Sequence, residues 1–428
     1  MLNSIRQKLY ELMVEGRLLE AVFHKMWSLF LKGCHKIGRG IGFLFGLPDR
    51  AIRHFARKHL EKHTEIDKHT ILFLTYQGVY TCNPKAIANE MLKQKLPYRL
   101  VWMTRKKDQE NTCPAGIEAV KRDSFACYEA AAVAKVIIDN THNLSRIGIA
   151  KKPGQVLLQT WHGSLGIKRL DGEVVKNKEW DRLAQICQRD TDYCISNSSF
   201  ETEVYRESYW GDVPVLTYGH ARNDILFSTD QEQLDRLDVK VRRFFEIKLK
   251  TKIALYAPTH KDNGYEYLYD LDYFRIREAL EKKFGGTWII AVRFHSRLSS
   301  RSRRWLASAP SFVFDATAYP DIQELMLSTS VGLTDYSSWV FDYILLKRPV
   351  FIIADDIEDF SQKRSFYYPL ESTPFSIATN SHELVNNIDN FNEVSYLQQV
   401  NDFLKDKGCM EDGHAAERIV AKIKELTS

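Results

Sequence analysis

The sequence predicts an α/β protein of two doubly wound, Rossmann-type domains behind a basic, amphipathic helical segment, and three observations predict it. At 428 residues the chain exceeds what one ordinary hydrophobic core organises. From residue 64 onward short apolar runs alternate with helical patterns, the rhythm of a parallel sheet covered on both faces. That rhythm breaks at a charged stretch and then restarts, which divides the chain into 1–63, 64–230 and 231–428.

The first 63 residues carry twelve Lys and Arg against five Asp and Glu, an excess of seven, whereas the whole chain has a net charge of only +5. Ile5, Leu9, Leu12, Met13, Leu19, Val22, Phe23, Met26, Trp27 and Phe30 recur at helical spacing, with cations between them. A second apolar cluster, Ile41 to Pro48, precedes a basic run from Arg50 to Lys62. This pattern suits a segment lying on an anionic membrane surface; a helical hairpin packed on the body would show the same periodicity. No stretch reaches the roughly 18 apolar residues of a membrane span, and no signal-peptide pattern is present. The expectation is a peripheral protein on the cytoplasmic face of the membrane. Seven scattered cysteines without zinc-site spacing point to reduced thiols, and neither a metal nor another cofactor is expected.

In the second segment the spacing predicts strands at Thr70 to Tyr76, Arg99 to Met103, Lys135 to Asp139, Val156 to Thr160, Tyr193 to Ser196 and Val213 to Leu216. Helical patterns lie between them, at Pro84 to Leu92 and Ser198 to Tyr205. Gln231 to Lys250 is a charged helix without a strand partner and reads as a link. Further strands are predicted at Lys252 to Ala257, Thr287 to Arg293, Ser311 to Phe314, Ser330 to Leu333 and Val350 to Ile353. Two such halves would face each other across a cleft at their strand C-terminal edges, where ligands bind in these sheets.

The sharpest local motif is Gln159-Thr160-Trp161-His162-Gly163-Ser164 at a strand end. Imidazole is the side chain suited to taking a proton from a hydroxyl near neutral pH, so His162 is a candidate base, with a purely structural histidine as the open alternative. Arg293 and His295 fall on one side of a strand end, where a cation and an imidazole could meet an anion; a surface pair is the alternative. Asp335-Tyr336-Ser337-Ser338 opens a helix, and such residues cap its amides, which also make an anion site. Tyr256-Ala257-Pro258-Thr259, Gly219-His220-Ala221-Arg222-Asn223-Asp224 and the acidic loop Asp355 to Phe360 are strand-end turns of lesser weight. Asp190-Thr191-Asp192 has the letters of a metal motif but reads as a polar loop.

Taken in order, Thr160 to Ser164, Gly219 to Asp224, Tyr256 to Thr259, Arg293 to His295 and Asp335 to Ser338 resemble the motifs of the CDP-glycerol glycerophosphotransferase family, which includes teichoic acid primases and polymerases. Gln77-Gly78, Asn83 to Ile87 and Asp139-Asn140 extend the resemblance, which runs from about Ile71 to Tyr368. Ser164, Ala221 and Ser365 depart from the usual Thr, Pro and Gly of the family pattern. The resemblance implies a GT-B-like fold that transfers a polyol phosphate, glycerol phosphate first, from a CDP-activated donor to a hydroxyl of a lipid-linked acceptor, with release of CMP. It implies His162 as general base and His295 as the second catalytic histidine. Arg293, Thr259, Asp335, Ser337 and Ser338 would then hold the donor, while Gly163, Ser164, Arg222, Asn223 and Asp224 serve the acceptor or the structure. A CDP-ribitol donor, a nucleotide-sugar glycosyltransferase and a non-catalytic membrane-bound module are the competing readings. A nucleic-acid partner is disfavoured because the excess charge sits on the amphipathic segment, and the sequence is silent on a homo-oligomer.

Overall fold

In the computed structural model the described residues are 57–148, 150–166, 168–170, 178–259, 271–294, 305, 307–357 and 366–428. Residues 57–63 are helical; residues 1–56, which carry most of the expected amphipathic segment, lie outside the described residues. From Glu65 to Ser428 the chain forms one compact unit built on two parallel sheets, which is the GT-B-like arrangement.

The first sheet holds β1 (Asp67–Leu74), β2 (Arg99–Thr104), β3 (Ile117–Lys121), β4 (Ala134–Asp139), β5 (Val156–Gln159), β6 (Tyr193–Ser196) and β7 (Val215–Thr217), in the order β3-β2-β1-β4-β5-β6-β7. The second holds β8 (Lys252–Tyr256), β9 (Trp288–Val292), β10 (Val313–Asp315), β11 (Val331–Thr334), β12 (Val350–Ile353) and β13 (Ser376–Ala378), in the order β10-β9-β8-β11-β12-β13. All pairings are parallel. Each sheet thus winds outward from its first strand and reverses beside its fourth, so a crevice opens between β1 and β4 and another between β8 and β11.

The central strands are apolar on both faces because helices cover both. Ile71, Leu72, Phe73 and Leu74 have no exposed surface, as buried parallel strands require. The two strands that the apolar pattern does not reveal, β3 and β13, lie at sheet edges. Ile117-Glu118-Ala119-Val120-Lys121 is interrupted by two charges and leaves Glu118 and Lys121 exposed, while Ser376-Ile377-Ala378 is too short to make a run.

The expected link is a helix over Gln231–Phe244, started by Asp230, whose carboxylate accepts the Gln233 amide at 3.0 Å. A second crossing was not expected. The helix Ala415–Thr427 returns to the first sheet, and Ile419, Val420 and Ile423, all fully buried, pack in one core with Ile71, Phe73 and Ile138. Asp224 fixes the start of that helix by accepting the amides of Ala415 at 3.0 Å and Ala416 at 2.7 Å. A carboxylate at this positive helix end contributes on the order of 1–2 kcal/mol. Among the described residues no helix is long and apolar enough to cross a membrane.

Candidate active site

β5 ends at Gln159, and the chain turns sharply through Trp161, whose φ of 47° lies in the left-handed region. A bulky residue there costs about 1–3 kcal/mol and must be held by its surroundings. Three contacts hold it. Gln159 Oε1 accepts the Trp161 amide at 2.9 Å, and Asn83 Nδ2 donates to the carbonyls of Thr160 and Trp161 at 3.1 and 3.2 Å. The result presents His162 at the C-terminal edge of the sheet.

His162 lines a cavity of about 330 Å³ that draws on both halves, with Gly163, Ser164, Tyr76, Trp161, Lys168 and Arg169 on one side and Ser338 and Tyr367 on the other. The Nδ1 atom lies 2.7 Å from the Asn140 carbonyl oxygen. A carbonyl only accepts, so Nδ1 carries the proton and Nε2 keeps the lone pair. His162 is exposed on the cavity wall, and desolvation by the protein packed close around it is the largest influence in lowering its pKa, to about 4. The Asn140 hydrogen bond opposes the shift, and Arg222 and His220 add to it. The imidazole is therefore neutral at pH 7 and able to accept a proton at Nε2.

The segment after His162 is strapped to the second half. Lys168 forms an antiparallel bridge with Phe366, the Tyr368 hydroxyl donates to the Leu165 carbonyl, and the Leu170 amide donates to the Tyr367 hydroxyl at 3.2 Å. Arg169 lies over the Tyr367 ring at 5.1 Å, and Lys168 Nζ reaches Thr259 Oγ1 at 3.2 Å. Two cations thus meet a neutral imidazole in one cavity, a combination suited to a phosphate-bearing substrate with a hydroxyl to deprotonate.

At the crevice of the second sheet, Asp335 Oδ1 accepts the Thr259 amide at 2.7 Å and the Tyr336 amide at 2.5 Å. The expected helix cap is absent: Ser338 occupies the N-cap position without a side-chain cap bond, and its helix is only Trp339–Tyr343. Ser337 sits half-buried in the same turn. Arg293 donates through Nη1 to the carbonyls of Ala316 and Tyr319 at 2.9 and 2.7 Å, bracing the turn after β10. His295 lies outside the described residues, as does part of the acidic loop.

Arg222, Asn223 and Asp224 do not line the His162 cavity. Arg222 pairs with Asp342 of the second half, Nε to Oδ2 at 2.8 Å and Nη2 to Oδ1 at 3.2 Å, and Nη2 also donates to the Gly163 carbonyl. Asn223 Nδ2 donates to Asp342 Oδ1 and Glu411 Oε1, both at 2.9 Å. Ser164 Oγ accepts from Asn197 Nδ2 at 2.9 Å. These side chains therefore support the loop from below. Asp192 is likewise structural, accepting the Leu157 amide at 2.7 Å and Lys151 Nζ at 2.5 Å.

A larger cavity of about 910 Å³ runs along the helix Cys82–Lys93 to Asp321 and Glu324, away from His162. Lys85 bridges Asp321 and Glu324 there at 2.6 and 3.0 Å, which leaves it an ion-paired seam between the halves rather than a reaction chamber. No sequence motif singles out Lys168, Arg169, Tyr76 or Asn197, and Tyr367 falls only in a stretch of weaker family resemblance. The adjacent Lys168-Arg169 pair close behind His162 is a usable signal; for the two tyrosines only the fold brings them in.

Residues 55–425 match the profile of the family described as CDP-Glycerol:Poly(glycerophosphate) glycerophosphotransferase. The chain is 31% identical over 382 residues to a teichoic acid poly(glycerol phosphate) polymerase of Staphylococcus epidermidis, covering 85% of this chain and 51% of that protein. A second teichoic acid poly(glycerol phosphate) polymerase, from Bacillus subtilis, is 29% identical with 83% and 48% covered. The chain spans about half the length of these two relatives. Among solved structures, a histidine-to-asparagine variant of the wall teichoic acid polymerase TagF soaked with CDPG superposes with a TM-score of 0.76 at 28% identity, covering 92% of this chain and 97% of that one.

Proposed function

The chain belongs to the CDP-glycerol:poly(glycerophosphate) glycerophosphotransferase family, and from that premise we propose that it transfers glycerol phosphate from CDP-glycerol to a hydroxyl of a lipid-linked acceptor, releasing CMP. The observation that carries the reading is the His162 ring, its Nδ1 bound to the Asn140 carbonyl, in one cavity with Lys168, Arg169 and Ser338. In the reaction Nε2 of His162 takes the acceptor hydroxyl proton. The freed oxygen attacks the glycerol-bearing phosphorus, the bond from that phosphorus to the CMP oxygen breaks, and CMP leaves with the electron pair.

The first half, on this reading, holds the acceptor and the second the CDP donor. Lys168 balances the charge of the donor phosphates, Thr259 and the Asp335 to Ser338 turn orient them, Arg293 braces the turn after β10, and His295 is the second catalytic histidine. Glycerol rather than ribitol is favoured by the two relatives, both named for poly(glycerol phosphate). The basic first segment would hold the protein at an anionic membrane surface beside its acceptor. The test is CMP release from CDP-glycerol and from CDP-ribitol with a lipid-linked glycerol-phosphate acceptor analogue. Donor-dependent release that falls by about 10²–10⁴-fold in His162→Ala supports the reading; folded protein that releases CMP from neither donor overturns it.

A further inference from the structure

We infer that Asp139 and Asn140 are positioning residues for the transfer, together holding the one carbonyl that sets the tautomer and the place of His162; the inference rests on the reading of His162 as the base. Asn140 is pinned through its amide and its side-chain oxygen. Its amide donates to the Leu74 carbonyl at 3.3 Å, and its side-chain Oδ1 accepts the Tyr76 amide at 2.9 Å, which ties the end of β4 to the end of β1 across the crevice. The turn that follows is gathered by the buried Asp139 carboxylate, whose Oδ1 accepts the Thr141 amide at 2.9 Å and Asn143 Nδ2 at 2.8 Å and whose Oδ2 accepts the Leu144 amide at 3.0 Å. The Asp139 carbonyl in turn receives the Thr160 amide at 2.9 Å, two residues before the histidine. The Asn140 carbonyl itself stands 2.7 Å from His162 Nδ1.

The chemistry follows from that acceptor. A carbonyl cannot donate, so a ring held against it carries its proton on Nδ1 and offers Nε2 to the acceptor hydroxyl. Because the carbonyl is uncharged, it fixes the ring without the charge stabilisation of the imidazolium that a carboxylate partner would give. Loosening the 140–144 turn removes the bias, and the ring is then free to place its proton on Nε2, where it cannot act as a base. Neither residue touches substrate in this arrangement; both act through His162.

The test uses the full chain labelled with ¹⁵N-histidine, with the His162 signal assigned by its loss in His162→Gln. Wild type is expected to show His162 as a single Nδ1–H tautomer. In Asp139→Asn, which sets an NH₂ group against amides that need an acceptor, and in Asn140→Ala, which frees the Tyr76 amide, part of the signal moves to the Nε2–H tautomer. There kcat falls on the order of 10²-fold while the donor KM changes little. Asp139 is buried, so should Asp139→Asn not fold, Asn140→Ala and the wild-type tautomer decide alone. A wild-type Nε2–H ring overturns the inference, as does Asn140→Ala with an unchanged tautomer or full kcat. Failure of the transfer reading is distinct: it is the absence of CMP release from wild type whatever the tautomer.

Discussion

Removing Asp342 should destabilise the protein far more than removing Asp342 and Arg222 together. The side chains are 5% and 4% exposed, and two near-parallel bonds join them. Burial works against the charge of the guanidinium, and Asp342 outweighs it, holding the Arg222 pKa above its ordinary value. Asp342→Leu leaves a buried cation without its counter-charge, which costs about 3–5 kcal/mol. Arg222→Met leaves the Asp342 carboxylate with Asn223 still donating to it, so the loss lies near the lower end of that range. The double substitution Arg222→Met with Asp342→Leu replaces both charges by apolar groups and should cost about 2 kcal/mol or less. Urea unfolding followed by tryptophan fluorescence reads all four corners of the cycle, with urea chosen because it does not screen charge. Single substitutions costing under about 1 kcal/mol, or costs that simply add, would refute the reasoning, because either outcome means that water already solvates the pair. The double variant should still transfer more slowly, since the donor to the Gly163 carbonyl is gone.

Three further outcomes are expected. Burial raises the Glu411 carboxyl to about 7, so the folded chain holds a proton there that the unfolded chain releases near 4.5; this contribution is complete below about pH 4.5 and lost as pH rises through 7. Glu411→Gln should remove the dependence, gaining on the order of 2–3 kcal/mol over wild type in going from pH 4.5 to pH 8, read from urea midpoints. A Cβ on Gly166 would stand 3.0 Å from the Ser338 Cβ, so Gly166→Val should push the two halves apart at the cavity and raise the donor KM several-fold with little change in urea midpoint. Because protonation of His162 disables it as a base and its pKa lies near 4, kcat/KM should stay flat from pH 7 to about 5 and fall below that; an acid limb centred near 6.5 would count against the desolvation-lowered pKa.

The apolar strands were legible because parallel strands buried on both faces leave unbroken runs such as Ile71 to Leu74. Ile117–Lys121 and Ser376–Ala378, at sheet edges, carry no such run, which is why they escaped while the edge strands β7 and β10 did not. The amphipathic pattern of residues 415–427 marks a helix, but nothing local says which of two sheets will cover it. At the site, His162, Gly163, Ser164 and Ser338 could be named because their chemistry sits in short motifs. Tyr76 and Tyr367, nearly 300 residues apart in number, meet only through the strap between the halves. Asp335 and Arg222 show the converse limit: a charged residue in a motif reads the same whether it meets a ligand or a backbone amide, and here each is committed to protein partners.

The return of the helix Ala415–Thr427 to the first sheet also sets an order of events during synthesis. β1 to β7 are complete once Thr217 has been made, yet the face that Ile419, Val420 and Ile423 cover stays bare until some 200 more residues have been added. At ordinary elongation rates that interval is on the order of 10–40 s. For that time a nascent chain offers its own apolar sheet face to whatever is nearby, so a fragment that stops after β7, or a ribosome stalled in the second half, should call on chaperones that the finished chain no longer needs.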